Sequence, residues 1–286
     1  MAQENWGRWG AEDEVGAPNL IGRDHVRLAA GLVRTGQVIS LAQKISDRLP
    51  VPGHRGGVQH FMGRDGGDYA AGAKQPGGFQ FAEDTVILPL HLGTHIDALC
   101  HAWCGDHLFN GFSGNTVRST TKALRCGVEK IPPLVTRGVL LDVVKLRGPS
   151  GDSIPQSLLE QSARGLGLRD GDAVLIRTGW LEGQDPAAGT DFNREPGIDV
   201  EAALWLGECG VSIVGADNFA IEALPFPPGT VFPVHQRLIR DYGIPLLEGL
   251  VLRELAEAEA TEFLFVATPL PIAGATGSPV APVAVL

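Results

Sequence analysis

Short apolar and β-branched runs, each bounded by Gly, Pro or charge, recur along the chain. Five read as core strands: VILPL (86–90), GVLLDVV (138–144), AVLIRT (173–178), VSIVGA (211–216) and EFLFVATPL (262–270). Between them lie amphipathic stretches with helix punctuation. Asp24 is placed to cap HVRLAAGLVRTG with Gly36 at its end, Ser153 to start IPQSLLEQSARGLG with Pro155 in its first turn, and Asp199 to start VEAALWLGECG with Gly210 closing it. The alternation from residue 138 onward predicts an α/β domain. Residues 50–84 break the pattern, being dense in glycine and without period. They read as one long loop, and their position before residues 91–101 favours a lid or pocket wall over a linker, with a disordered surface loop as the alternative.

The chain has 286 residues, and mixed sheet-and-helix folds of this length often form one unit, so a single domain over 1–286 is expected. Its composition, 44% hydrophobic and 20% charged, is that of a globular protein with a sizeable core. A net charge of -10 repels phosphate backbones and anionic lipid, and no Lys/Arg run offers a local exception. Nucleic acid is thereby excluded as a partner, and a small-molecule substrate is expected. MAQENWGRWGAEDEVG has neither the basic start nor the apolar run of a secretory signal. The apolar tail is interrupted by Pro269, Pro271, Gly274, Gly277, Pro279 and Pro282, which argues against a spanning helix. A cytoplasmic protein with no membrane contact follows as the expectation, with Cys100, Cys104, Cys126 and Cys209 as reduced thiols.

Residues 91–101, HLGTHIDALCH, hold three of the chain's eight histidines and an aspartate. On a helix His91 and His95 would share a face, but Asp97 would point roughly 160° from His95, and Gly93 and Thr94 would weaken the turn. On a straight strand His91 and His95 would lie about 13 Å apart, too far for joint ligation at about 2 Å per bond. The chain is therefore expected to bend at Gly93, where the VILPL strand breaks, gathering two imidazoles and a carboxylate round one point. Such a set, with open positions, suits Zn²⁺, Mn²⁺ or Fe²⁺ in a catalytic role. The ion would make hydroxide available near neutral pH, and His101 is placed to shuttle a proton. The alternative is a polar turn that happens to be rich in histidine. Cys100 and Cys104, four apart beside the cluster, lack the second pair of a zinc-finger pattern. A further stretch, FPVHQRLIRDYGIPLLEGL (232–250), reads as a short helix opened by Pro233 and carrying His235, ended by Gly243, then a strand bearing Glu248.

HLGTHIDALCH resembles the His-x-Gly-Thr-His-x-Asp-x-Pro-x-His pattern of the metal-dependent cyclase or kynurenine formamidase family, which includes isatin hydrolases, and the chain is most similar to its longer cyclase family proteins. WGRWGAEDEVGAPNLI, HFMGRDGGDYAAG, LFNGF, GDAVLIRTGW, GVSIVGADN, VHQRLIRDYGIPLLEGL and GATGSP extend the resemblance over most of the chain. It implies a swivelling β/β/α fold on a mixed sheet, assembled as a homodimer or homotetramer. It also implies that His91, His95 and Asp97 bind a first divalent metal, Zn or Mn, and that His101 is the acid/base. Asp97 would bridge to a second metal held by His235 and Glu248, although some members work with one, so one or two ions per chain are expected. Leu99 stands where the family pattern has Pro, as in the longer members. Thr276 and Ser278 of GATGSP either line the pocket or serve the structure. The activity implied is opening of an amide, lactam, imide or lactone by metal-bound hydroxide. A non-hydrolytic metal-binding scaffold and a literal ring-closing cyclase are the alternatives. Trp6, Trp9, Phe61, Trp103, Phe109 and Phe112 raise the expectation of an aromatic-lined pocket, with core packing the competing role for each.

Overall fold

Four of the five apolar runs enter one sheet. The computed structural model describes residues 5–73, 75–147, 153–184 and 189–286. Numbered along the chain, the strands that frame the site are β1 (Val38–Ser40), β2 (Gln59–Arg64), β3 (Glu83–Ile87), β4 (His95–Asp97), β5 (Leu134–Asp142), β6 (Ala173–Arg177), β7 (Ile213–Ala216), β8 (Leu246–Glu248), β9 (Glu262–Ala267), β10 (Gly277–Pro279) and β11 (Val283–Val285). Nine of these form a mixed sheet in the order β1-β11-β9-β5-β6-β7-β8-β4-β10. The run β5-β6-β7-β8 is parallel and the remaining pairs are antiparallel. The α/β class expected from the alternation is the class observed.

Side-chain chemistry follows the sheet. In the parallel centre, the apolar residues of β6 and all of β7 are buried, as strands covered on both faces must be. The antiparallel β9 instead alternates buried and half-buried residues, with Phe263, Phe265 and Ala267 turned to the core. Phe263 pairs with Gly138 on β5, where a Cβ would stand 2.1 Å from the ring. A glycine inside a strand is thus required by the aromatic ring on its neighbour. The helix Arg23–Ala30 packs across β5 and β9, and helices Gln156–Ser162 and Val200–Glu208 pack on each other.

Several local expectations are corrected. The 86–90 run does not form a core strand: β3 spans Glu83–Ile87, pairs with β2 outside the large sheet, and leaves Val86 and Ile87 46% and 57% exposed. The glycine-dense segment is accordingly not one loop. It contains this β2-β3 hairpin and the short helix Gly66–Ala70, held by the Tyr69 hydroxyl, which donates to Phe81 O at 2.8 Å. Only its start, residues 51–55, reaches the cavity described below.

The first helix is capped at Gly22 rather than Asp24 and ends at Ala30, after which Leu32 N and Val33 N close tighter turns on Ala29 O and Ala30 O and the amides of Thr35 and Gly36 go to Leu286 O. Ser153 pairs with Gly197 in a two-residue ribbon, so the next helix starts after Pro155. The run 138–144 leaves its strand at Asp142 and turns into a helix at Val143. Asp199 does cap its helix, accepting from Ala202 N at 2.8 Å. All four cysteines are free thiols, and no helix among the described residues is long and apolar enough to cross a membrane.

The Gly138→Ala substitution is expected to lower unfolding free energy by about 1–3 kcal/mol, since the Phe263 ring must shift to admit the methyl group. Urea titration of the purified variant checks this.

Candidate metal centre

Strand β4 is three residues long, and its register places its side chains. His95 and Asp97 are two positions apart and so share a face. β8 lies antiparallel on one side with Glu248 opposite His95, and β10 on the other with Gly277 opposite Asp97. A cross-strand pair is thereby made of an imidazole and a carboxylate, His95 Nε2 to Glu248 Oε2 at 3.2 Å. The bend expected before the strand is present. Gly93 has φ +55°, and a Cβ there would stand 2.9 Å from the Leu49 side chain. It carries His91 back over β4, with its ring centroid 5.3 Å from that of His95. Gly277 makes room for that ring, since a Cβ would come within 2.6 Å of His91 Cε1.

Hydrogen bonds fix how each imidazole is turned. His95 Nδ1 donates to Gly93 O at 3.0 Å, which aims Nε2 inward. His235, at the end of the Pro233–His235 turn, directs Nδ1 to Glu222 Oε1 at 2.7 Å and leaves Nε2 3.2 Å from Glu248 Oε1 and 3.7 Å from Asp97 Oδ2. His91 has both nitrogens engaged, Nδ1 with Asp97 Oδ1 at 2.6 Å and Nε2 with Thr276 Oγ1 at 2.9 Å. His101 stacks on His91 at 4.0 Å between centroids, with Nε2 3.8 Å from Asp97 Oδ2.

The six residues singled out in the sequence, His91, His95, Asp97, His101, His235 and Glu248, therefore meet in one place. Two overlapping groups within it have the spacing of a metal site, His91-Asp97-His101 and His95-Asp97-Glu248, and Asp97 belongs to both. No cysteine takes part; Cys100 Sγ instead donates to Ala275 O at 3.7 Å.

Reasoning from sequence missed Glu222. It is buried, accepts the backbone N–H groups of Val234 and His235, and faces His235 Nδ1. It stands alone in its segment, with no spacing to mark it. Of the two GATGSP candidates, Thr276 reaches the cluster, whereas Ser278 is structural, its hydroxyl accepting from Leu270 N and donating to Pro279 O. The aromatic expectation is largely redirected. Phe109 is buried in the core, Trp6, Trp9 and Phe112 pack against the core, and Phe61 is exposed on the hairpin. Trp103 does line the cavity, joined by Phe192, Phe219 and Phe232.

Charge is packed tightly here. Asp97 is held far below the usual carboxylate range: burial opposes its charge, but His101, His91 and His95 outweigh that cost. Burial likewise disfavours the His235 imidazolium, yet Glu222 and Glu248 together push it up to about 10. His101 goes the other way. Burial lowers it to about 4, with His91 and His235 adding to the effect against the pull of Asp97. Next to these groups opens a cavity of about 820 Å³, lined by His101, His235 and Glu248.

A family model described as a putative cyclase matches residues 39–223. The chain belongs to the cyclase family. This cyclase-family protein is 36% identical to a protein whose crystal structure is described as a novel cyclase, over 99% of this chain and 100% of that one, with a TM-score of 0.91. Isatin hydrolase A from Ralstonia solanacearum is 25% identical over 90% of this chain and 93% of its own, with a TM-score of 0.66. A predicted metal-dependent hydrolase from Bacillus stearothermophilus, 20% identical over 87% and 97% of the two chains, shares the fold at a TM-score of 0.58. No curated protein matches the sequence. The family and the mixed α/β fold expected from HLGTHIDALCH and its companion blocks are the family and fold found.

A cation entering the cluster must displace protons, since His235 holds one well above neutrality and His95 is also raised. Binding of Zn²⁺ or Mn²⁺ to chelator-treated protein is expected to release protons and to tighten as pH rises from about 6 to about 9. Calorimetry in two buffers of different ionisation enthalpy measures the release directly.

Proposed function

We propose that this cyclase-family protein is a metal-dependent hydrolase that opens an amide, lactam, imide or lactone. The observation that carries the reading is a set of buried atoms without hydrogen-bond partners, His95 Nε2, Asp97 Oδ2 and Glu248 Oε1, gathered on residues whose ligand atoms lie within 4.8 Å of one another. Buried polar atoms normally find hydrogen-bond partners, and these instead crowd against one another at ion-pair distances, as donor atoms arranged round a cation do. The spacings agree. Two ligands about 2.1 Å from one ion at a tetrahedral angle stand about 3.4 Å apart, against 3.2 to 3.7 Å for His95-Glu248, His235-Glu248, His95-Asp97 and His235-Asp97. The likeness to isatin hydrolase A adds support for hydrolysis of a cyclic amide.

In this proposal His91, His95 and Asp97 would hold one ion, and Asp97, His235 and Glu248 would hold a second. His91 must give up one of its present contacts, to Asp97 or to Thr276, to serve as a ligand. The nitrogen and oxygen donors suit Zn²⁺ or Mn²⁺. A divalent ion so held supplies two things, a lowered pKa for water and polarisation of a carbonyl oxygen.

The chain's own residues do the rest. Glu222 and the Gly93 carbonyl lock the tautomers of His235 and His95, the outer support that ligating histidines depend on. His101, kept neutral by burial at physiological pH, accepts a proton from the attacking water and returns it to the leaving nitrogen or oxygen. Phe192, Phe219, Phe232 and Trp103 give a planar substrate an apolar wall.

Metal analysis of protein purified without added metal is the first test. His95→Ala should lose metal together with turnover on a panel of N-formyl amides, lactams, imides and lactones, and undiminished turnover would refute the mechanism. Two equivalents falling to one in His235→Ala would show a binuclear site, while one equivalent unchanged would show a mononuclear site and put lactams and lactones first. Glu222→Ala is expected to weaken metal affinity about 10–100-fold without touching a ligand. Competition against a chromogenic chelator reads that change.

A further inference from the structure

Among the described residues lining the cavity there is a single Lys or Arg, Arg55. It comes from the glycine-dense segment, and its guanidinium is half-buried. Nη1 donates to the carbonyl of His91, and the Cζ lies 5.0 Å from the centroid of the Phe219 ring. Both partners are neutral. No carboxylate among the described residues lies within ion-pair distance, and Nε and Nη2 have no hydrogen-bond partner there. Glu248 and Asp97 act on it only through space, and the loss of water on burial outweighs them, lowering its pKa. Elsewhere the chain treats buried arginines differently: Arg137 reaches Asp172 and Glu262, and Arg177 reaches Asp142 and Glu182.

The aromatic floor beneath Arg55 is fixed. Phe219 N donates to the buried Glu195 Oε2 at 2.7 Å, and the Phe219 ring meets Phe192 edge-on at 5.0 Å and His95 at 5.7 Å. A partly desolvated cation over such a floor, with a free fork of donors facing a cavity, is a site for a planar anion.

We infer that Arg55 forms an anion subsite, and that the substrate is an aromatic amide or lactone carrying a carboxylate or other negative group close to its ring. The identification of a substrate rests on the hydrolase reading, whereas binding of the anion does not. Because the chain as a whole is strongly negative, Arg55 is the local feature that makes such a ligand admissible.

The test uses metal-loaded protein titrated by calorimetry with benzenesulfonate, an aromatic anion that ligates metals weakly, and with methyl phenyl sulfone, its neutral counterpart. Wild type is expected to favour the sulfonate by at least about tenfold, as a charge-assisted contact should. Arg55→Gln should bind the two alike, and Arg55→Lys should keep part of the preference. Absence of a preference in wild type, or its survival in Arg55→Gln, overturns the subsite. So does loss of metal from Arg55→Gln, which would make Arg55 a prop for His91 alone. If the sulfonate preference follows Arg55 while no amide or lactone is turned over, the hydrolase reading fails and the subsite stands.

Discussion

Burying a charge without compensation is among the largest costs a fold can incur. The site here buries two imidazoles and three carboxylates within reach of one another, His95, His235, Asp97, Glu222 and Glu248. What makes this possible is alternation. Each carboxylate faces at least one imidazole, and each imidazole is turned by an oxygen acceptor, so that no like-charged pair meets without an opposite group beside it. Much of the surrounding architecture can be understood as holding this arrangement. The glycines at 93 and 277 provide a bend and a vacancy, the antiparallel neighbours of β4 bring Glu248 and Thr276 from far along the chain, and Pro233 opens the turn that carries His235.

The parallel centre of the sheet contributes differently. Beyond the carboxyl end of β7, Asp217 accepts hydrogen bonds from Thr178 N, Thr178 Oγ1 and Gly179 N, tying the ends of β6 and β7 together. Asn218 and Phe219 follow directly, and the crevice outside the strand ends is where open α/β sheets place their ligands. Burial pushes the Asp217 carboxyl up to about 6 even against three donors. This is a strut rather than a reactive group, since all its contacts are within the scaffold.

How much of this was legible in the sequence depended on distance along the chain. His91, His95, Asp97 and His101 could be grouped because they lie in eleven residues, and one glycine bend suffices to gather them. His235 and Glu248 needed the family resemblance, because strand pairing between distant segments leaves no trace in local periodicity. Glu222 left no signal at all, being one carboxylate whose meaning comes only from the amides it accepts. The error at 86–90 has a physical origin too. A short apolar run is the same whether it is destined for a core or for an exposed hairpin, and β2, its partner, was hidden among glycines.

The smallness of β4 has a bearing on how the molecule is made. Thr94 bonds to a carbonyl 155 residues away, and His91 to a hydroxyl 185 residues away. A three-residue strand has no stability of its own, and neither of its neighbours exists until residues 246–279 have been synthesised. Strands β5, β6 and β7, by contrast, are all present in the chain by residue 216 and pair with one another without it. The cluster thus joins segments made far apart in time, and β4 can pair with nothing in the sheet before residue 246 has been made.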